Sequence, residues 1–343
     1  MFSAEERRGV LLTSSKPKTK IKTRARVVVA GSANMDCVVS ASRHPRVGET
    51  VAGDALRFLP GGKGANQAVA AARMGADTVF IGRVGEDDFG AQLQSTLARE
   101  GIDTSNLEAV AGANTGMAVV TVADGDNTIV VAPGANYRMP PEAAGGFGFR
   151  RGDWLLAQLE IPARVTLEFF REAKRAGAHR VLNPSPAERI ETELLREADL
   201  IILNPRELEL LCGVETVSLN DLKTIEAHAR RLISPRQAII VTLGERGAFG
   251  IDWNGATFAE PGTAAKVVDS TGAGDCFTGA LAAALCESDD LRRAVRRANR
   301  AAAASTERCG AIPSLPRASE LAAWSTGRRQ VQTSDTDTLR ATP

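Results

Sequence analysis

The sequence predicts an α/β fold: a mainly parallel sheet with helices on both faces, plus a small β-sheet lid. Two observations predict it. Strand-like and helix-like segments alternate along most of the 343 residues, which implies parallel strands joined by covering helices. Two stretches rich in Val, Thr and Gly break that rhythm and read as short antiparallel strands and a hairpin. In order, residues 27–30 read as a short buried strand, 64–75 as an Ala-rich helix, 78–82 as a strand, and 89–100 as a helix stopped by Gly101. Residues 37–60 and 107–132 are the stretches read as a lid, or else as a decorated sheet edge, the second carrying the turn signal Ala123-Asp124-Gly125-Asp126-Asn127. The rhythm then resumes with strand 154–159, helix 164–176, strands 181–183 and 200–203, helices 206–212 and 222–233, and strand 238–243. A last apolar helix opens near Asp275 and runs to Cys286. Ligands of such a sheet lie outside the carboxyl ends of its strands.

A chain of 36.2 kDa holds one large α/β domain, or one and a half; here the main domain is expected over 26–326. Its 42 basic and 41 acidic residues nearly cancel. No nucleic-acid or membrane partner is expected, because binding a phosphate backbone needs a large positive excess, and no apolar run reaches membrane length. Cys37, Cys212, Cys276, Cys286 and Cys309 are odd in number and widely spaced. They argue against a disulfide framework or a zinc site and for a reducing, cytoplasmic setting. His44, His179 and His228 are the only histidines, and none is spaced like a metal site or suits a triad. Residues 1–26 carry eight Lys or Arg against Glu5 and Glu6, so 1–25 reads as a flexible basic tail. Organellar import is the functional reading of such a tail; the early glutamates and the lack of an evident amphipathic helix speak against it. Residues 327–343 are polar and Thr/Ser-rich and read as a disordered tail.

The most informative stretch is Asp269-Ser270-Thr271-Gly272-Ala273-Gly274-Asp275. It follows a β-prone run and opens an apolar helix. Small residues at Gly272, Ala273 and Gly274 let backbone N–H groups approach a phosphate, and the helix dipole adds positive potential. Asp275 is then an acid beside a bound phosphate, where a general base would take the proton of an attacking hydroxyl. Phosphoryl transfer to an alcohol is the expected chemistry; the plainer reading is a Gly-rich turn with Asp capping a helix.

Gly61-Gly62-Lys63-Gly64-Ala65-Asn66-Gln67 lacks the spacing and the terminal Lys-Ser/Thr of a Walker loop. It offers a close-approach backbone and a helix start bearing Lys63 and Asn66, suited to a ligand with many hydroxyls, or else a simple turn feeding the helix. Gly31-Ser32-Ala33-Asn34-Met35-Asp36 puts Asn34 and Asp36 beyond the first strand. There an amide and a carboxylate can fork around sugar hydroxyls or merely close an Asx turn. Glu160, Asn204 and residues 242–247 repeat the pattern of polar groups at strand ends. Together they set a sugar-like and a phosphate-like site along one sheet edge.

Over roughly residues 26–321 the chain resembles the PfkB-type carbohydrate kinase superfamily. The two signatures are Gly61-Gly62-Lys63-Gly64-Ala65-Asn66-Gln67-Ala68, in the form that resembles the ribokinase branch, and the stretch from Asp269 to Asp275. Pro133-Gly134-Ala135-Asn136, Asn183-Pro184-Ser185-Pro186-Ala187 and Asn204-Pro205-Arg206-Glu207-Leu208-Glu209 point the same way. The resemblance implies a ribokinase-like domain that phosphorylates D-ribose at its 5-hydroxyl with ATP, giving ribose 5-phosphate and ADP. It implies that Asn34, Asp36, Gly62, Lys63, Gly64, Ala65, Asn66 and Glu160 hold the sugar. Asp275 is the implied base, with the amides of Gly272, Ala273 and Gly274 receiving the developing charge. Implied ATP contacts are Asn204, Thr242, Leu243, Gly244, Glu245, Arg246, Gly247, Gly274 and Asn299, with Mg²⁺ bridging the phosphates. A monovalent cation, usually potassium, is implied beside the anion hole at Asp269, Thr271, Ser305, Arg308, Gly310 and Ser314, several through backbone carbonyls. The lid would close over ribose and pair with a second lid in a homodimer. Two positions depart from the family pattern: Ser270 where Thr is usual, and Ile312 in place of a common Gln.

The identity of the sugar rests on that resemblance, and related enzymes act on deoxyribose, other ketoses or nucleosides. A nucleoside kinase needs a wide apolar or aromatic shelf, and Tyr137 is the only tyrosine of an aromatic-poor chain. A non-catalytic sugar- or nucleotide-binding protein on the same fold is the other class of reading. It would be expected to lose the base or the anion hole, and here both are intact.

Overall fold

A computed structural model describes residues 25–187, 190–214 and 221–324; the two expected tails lie outside the described residues, apart from Ala25. In chain order the strands are β1 (Arg26–Ala30), β2 (Asn34–Ala41), β3 (Gly53–Gly61), β4 (Asp77–Gly85), β5 (Asp103–Val110), β6 (Gly116–Ala123), β7 (Asp126–Ala132), β8 (Trp154–Ala157), β9 (His179–Leu182), β10 (Leu200–Leu203), β11 (Ala238–Thr242), β12 (Ala248–Ile251) and β13 (Thr257–Glu260). The helices are α1 (Lys63–Arg73), α2 (Asp88–Arg99), α3 (Ala163–Ala176), α4 (Thr192–Glu197), α5 (Pro205–Cys212), α6 (Leu222–Leu232), α7 (Ala273–Leu285), α8 (Leu291–Ser305) and α9 (Ala318–Trp324).

Nine strands form one sheet in the order β13-β12-β11-β10-β9-β8-β1-β4-β5. All neighbours from β11 to β5 pair in parallel, and β12 and β13 close one edge antiparallel. That terminal hairpin goes beyond the sequence expectation, because its strands are short and Gly250 interrupts the apolar run. The period of two on a doubly covered sheet explains the near-continuous apolar runs. Val27 and Val29 of β1 join the core beneath α1, α7 and α8, while Val28 and Ala30 join the core beneath α3.

α7 is buried along Asp275–Leu285, as a helix apolar on all sides must be. It lies so close to α1 that a Cβ on Gly279 would stand 2.3 Å from the Gln67 carbonyl oxygen. Ala70 and Ala71 complete this small-residue contact. The approach sets the first turns of α1 and α7 side by side at one end of the sheet, and the site is built there.

The small sheet runs β3-β2-β6-β7. Its outer pairs are antiparallel, as expected, but the central pair β2·β6 is parallel. The reason is topological: between β3 and β6 the chain passes through α1, β4, α2 and β5 and returns in the same direction. The expected lid bounds shift accordingly. Residues 107–110 belong to β5 and pair with β4 of the large sheet, whereas β2 already begins at Asn34. The expected strand 154–159 ends at Ala157, which frees Gln158 and Leu159 from the ladder.

Candidate active site

The glycine-rich turn before α1 packs directly on the chain leaving β1. Gly62 has φ +90°, and a Cβ there would lie 2.7 Å from the Asn34 nitrogen; one on Gly64 would lie 2.6 Å from the Ser32 nitrogen. Only glycine permits both the dihedral and the approach. The Ala65 amide donates to the Ser32 carbonyl at 2.9 Å. The Ser32 hydroxyl donates to Glu160 Oε2 at 2.6 Å, and the Lys63 amide donates to the same oxygen at 3.1 Å. Glu160, three residues past the true end of the expected strand, is thereby clamped to the turn. Asn34 is 2% exposed, and its Oδ1 accepts from Asn136 Nδ2 at 2.7 Å. Asp36 faces Gly61 so closely that a Cβ on that glycine would meet its carboxylate at 2.2 Å.

α7 starts at Ala273 behind a left-handed Gly272 at φ +75°. Asp275 is therefore inside the first turn rather than at the cap, which removes the plain capping reading. The space in front of Gly274 is open, with nothing within 4 Å of where a Cβ would be. Asp275 Oδ2 accepts from Asn66 Nδ2, and Oδ1 from Gln67 Nε2, both at 2.9 Å. Each carboxylate oxygen keeps a further lone pair for a substrate proton. Asn66 Oδ1 is buried with no partner among the described residues, an acceptor beside the Asp275 carboxylate.

Charge is concentrated here. Burial, reinforced by the negative charges of Glu160 and Asp275, pushes the Asp36 carboxyl up to about 7. Burial works to lower the Lys63 ammonium, but Asp275, Glu160 and Glu207 outweigh it and hold it above its ordinary value. Glu207 is raised by burial against a hydrogen bond from the Asn204 amide. One ammonium thus stands among four carboxylates, an arrangement that favours a ligand bringing its own hydroxyl donors.

The expected nucleotide residues form a second group. The Asn204 side chain accepts from the Glu207 amide, and Glu207 Oε2 from the Asn204 amide, each at 2.9 Å, in a capping box on α5. The Thr242 hydroxyl donates to the Leu203 carbonyl at 3.3 Å. Leu243 closes the 243–247 turn by donating to Gly247 O at 2.7 Å, with Gly244 and Gly247 at positive φ. Gly247 lies against Glu260 and Pro261, and Asn299 Nδ2 donates to both of those carbonyls at 3.3 Å. The turn and Asn299 therefore share one wall, to which Glu245 and Arg246 are contiguous.

Of the expected cation ligands, the fold unites Asp269, Thr271 and Gly310. Asp269 Oδ1 accepts from the Thr271 amide at 2.9 Å and Oδ2 from the Gly310 amide at 2.7 Å. Burial opposes its ionisation, but these bonds outweigh it and hold the carboxyl below its ordinary value. Ser305 and Ser314 turn their hydroxyls to carbonyls of their own turns. The Arg308 guanidinium goes to Glu320, so Arg308 can offer only its backbone. Ile312 is buried in the core, and its carbonyl accepts from Arg73 at 2.8 Å. Among the described residues no cluster of three or more His, Cys, Asp or Glu could hold a metal ion.

Sequence reasoning missed Ser32, Gln67, Asn136, Gln158 and Asn183. Gln158 and Asn183 follow β8 and β9, so the rule that singled out Glu160 and Asn204, polar groups just past parallel strands, could have found them.

The pfkB family carbohydrate kinase model matches residues 24–318. A ribokinase of Haemophilus influenzae is 36% identical over 296 residues, 85% of this chain and 96% of that protein. A deoxyribokinase of Salmonella typhi is 31% identical over 295 residues, 84% of this chain and 95% of that one. The solved structure of an Arabidopsis thaliana ribokinase complexed with ribose and ATP is similar at a TM-score of 0.78 and 32% identity, covering 88% of this chain and 98% of that one. With one fold, one pair of signatures and matches spanning nearly the whole length of those proteins, the chain belongs to the pfkB family of carbohydrate kinases, on its ribokinase branch.

Proposed function

We propose that this enzyme transfers the γ-phosphoryl group of ATP to the 5-hydroxyl of D-ribose. The observation that supports it most is Asp275, 8% exposed, with both oxygens held by α1 side chains and its own helix opening beside the uncovered Gly274. Ribose lies between Asp36, Asn34, Glu160 and the turn from Gly62 to Asn66, whose glycines admit a hydroxyl-rich ring to the backbone. Lys63 and the unpartnered Asn66 Oδ1 complete the polar lining. The nucleotide runs from the 243–247 turn and Asn299 past Asn204 toward the start of α7.

The proton of the sugar hydroxyl passes to Asp275, its oxygen bonds to the γ-phosphorus, and the bond to the bridging oxygen breaks as ADP leaves. The Gly272, Ala273 and Gly274 amides receive the charge that spreads over the phosphoryl oxygens; the protein's part is positioning and electrostatic stabilisation. Mg²⁺ enters with the nucleotide. The expected ligand atoms are all oxygens, one carboxylate with hydroxyls and backbone carbonyls, a set that suits a hard monovalent cation such as potassium. Asp269, Thr271, Ser305, Gly310, Ser314 and the backbone of Arg308 would hold it, and it would add fixed positive charge behind the anion hole.

The small sheet covers the sugar as a lid. Its exposed Leu56, Phe58, Ile129, Val130 and Val131 favour pairing of two such sheets in a homodimer. Cys37, Cys212, Cys276 and Cys309 are free thiols, in keeping with a cytoplasmic enzyme. The test is a coupled ADP-release assay over D-ribose, 2-deoxyribose, fructose, adenosine and uridine, with and without potassium. Selective turnover of ribose is the expected result; selectivity for deoxyribose or a nucleoside overturns the substrate, and no turnover with any of them overturns the kinase reading.

A further inference from the structure

A chain of buried amides runs from the central sheet to the carboxylate of Asp275. Ile202 O, on β10, can only accept, and Asn183 Nδ2 donates to it at 3.0 Å. Asn183 must then turn Oδ1 outward, where Gln67 Nε2 donates to it at 3.0 Å. The same Nε2 gives its other proton to Asp275 Oδ1 at 2.9 Å, and Gln67 Oε1 accepts from Gln158 Nε2 at 2.5 Å. Gln67 and Gln158 are 0% exposed and Asn183 is 9% exposed, so no bulk water competes for these groups.

Each amide here has one workable orientation. A flip of Asn183 would set two carbonyl oxygens face to face at Ile202, and a flip of Gln67 would set its one amide oxygen against both Asp275 Oδ1 and Asn183 Oδ1. The polarity starts at an obligate acceptor in the sheet and ends at the base. A buried N–H fixes the carboxylate oxygen that accepts it, and a base must face the hydroxyl whose proton it takes.

We propose that Gln67 is a positioning residue whose amide, locked by Asn183 and Gln158, holds the Asp275 carboxylate aimed at the attacking hydroxyl. This rests on the reading of Asp275 as the base. Gln67 itself touches neither substrate; it works through Asp275. A purely structural brace between α1 and the sheet would contribute to stability without moving turnover at saturating substrate, and the two roles separate in the split of kcat against KM.

The experiment is kcat and the KM for ribose, with Tm, for Gln67→Met, Gln67→Glu, Asn183→Leu and Asp275→Asn in the full chain. Gln67→Met keeps the length and loses the donor: kcat should fall on the order of 10-fold, with the KM for ribose within about 3-fold. Gln67→Glu keeps the shape but sets a carboxylate against Asp275, and kcat should fall further. Asn183→Leu, which does not touch Asp275, should lower kcat the same way by less and serves if a Gln67 variant fails to fold. Unchanged kcat in the folded variants, with only Tm lowered, overturns the proposal. If Asp275→Asn is inactive while kcat of those variants is unchanged, positioning alone fails; if Asp275→Asn stays active, the base reading fails first.

Discussion

Asn66 Nδ2 donates to Asp275 Oδ2 over 2.9 Å, joining residues 209 positions apart. This one bond links the glycine-rich turn, read as the sugar side, to the helix start, read as the phosphate side. It is possible because Gly279 and the alanines of α1 let two helix backbones nearly touch. On the proposed function, a hydroxyl held by Asn66 would thereby be delivered to Asp275 as base.

Replacing Asp275 by Asn keeps the shape and removes the proton acceptor. Steady-state kinetics should show kcat lowered by about 10³-fold with the KM for ribose nearly unchanged. Turnover within tenfold of the parent enzyme would sink the assignment.

Asp36 should make sugar binding depend on pH. Burial, then the charges of Glu160 and Asp275, raise its carboxyl to about 7. A protonated Asp36 offers sugar hydroxyls a poorer acceptor, so the KM for ribose should rise as pH falls from 8 to 6 on the order of several-fold. Stability moves the opposite way. Between its ordinary value of 3.8 and about 7 the folded chain holds a proton that the unfolded chain has released, so stability contributed by this group falls as pH rises across that window. Chemical denaturation of Asp36→Asn should show a flatter decline over that range; an identical slope would show that Asp36 titrates normally.

Gly62→Ala places a methyl group 2.7 Å from the Asn34 nitrogen at a φ of +90°. The strain should cost on the order of 2 kcal/mol and tilt the turn that carries Lys63 and Asn66. A lowered Tm together with a raised ribose KM is expected. Gly146→Ala, where a Cβ meets nothing within 4 Å, is the matched control.

Potassium should raise turnover, and Asp269→Asn should weaken that response. Asp269 gathers the amides of Thr271 and Gly310, so its loss should raise the potassium concentration for half-activation by about tenfold. Equal turnover in potassium and in a large organic cation would rule out the cation site.

Much of the fold was legible because its signals are local. A run such as Val27-Val28-Val29-Ala30 buries alternate residues on opposite faces whatever surrounds it, and glycines at Gly62 and Gly272 mark backbone that no other residue can follow. The β12·β13 hairpin and the true lid bounds were not, since residues 107–110 look like lid strand until β4 claims them. The same division runs through the site. By itself the sequence determined the class of fold, the two glycine-rich turns, and the acid in the first turn of α7, because each depends on residue type and short-range spacing. Only the tertiary structure decided the partners of that acid, the raised carboxyl of Asp36 and the amide chain through Gln67, Asn183 and Gln158. Those properties come from burial and from hydrogen bonds between residues 91 to 209 positions apart, and neither has a signature until the chain has packed.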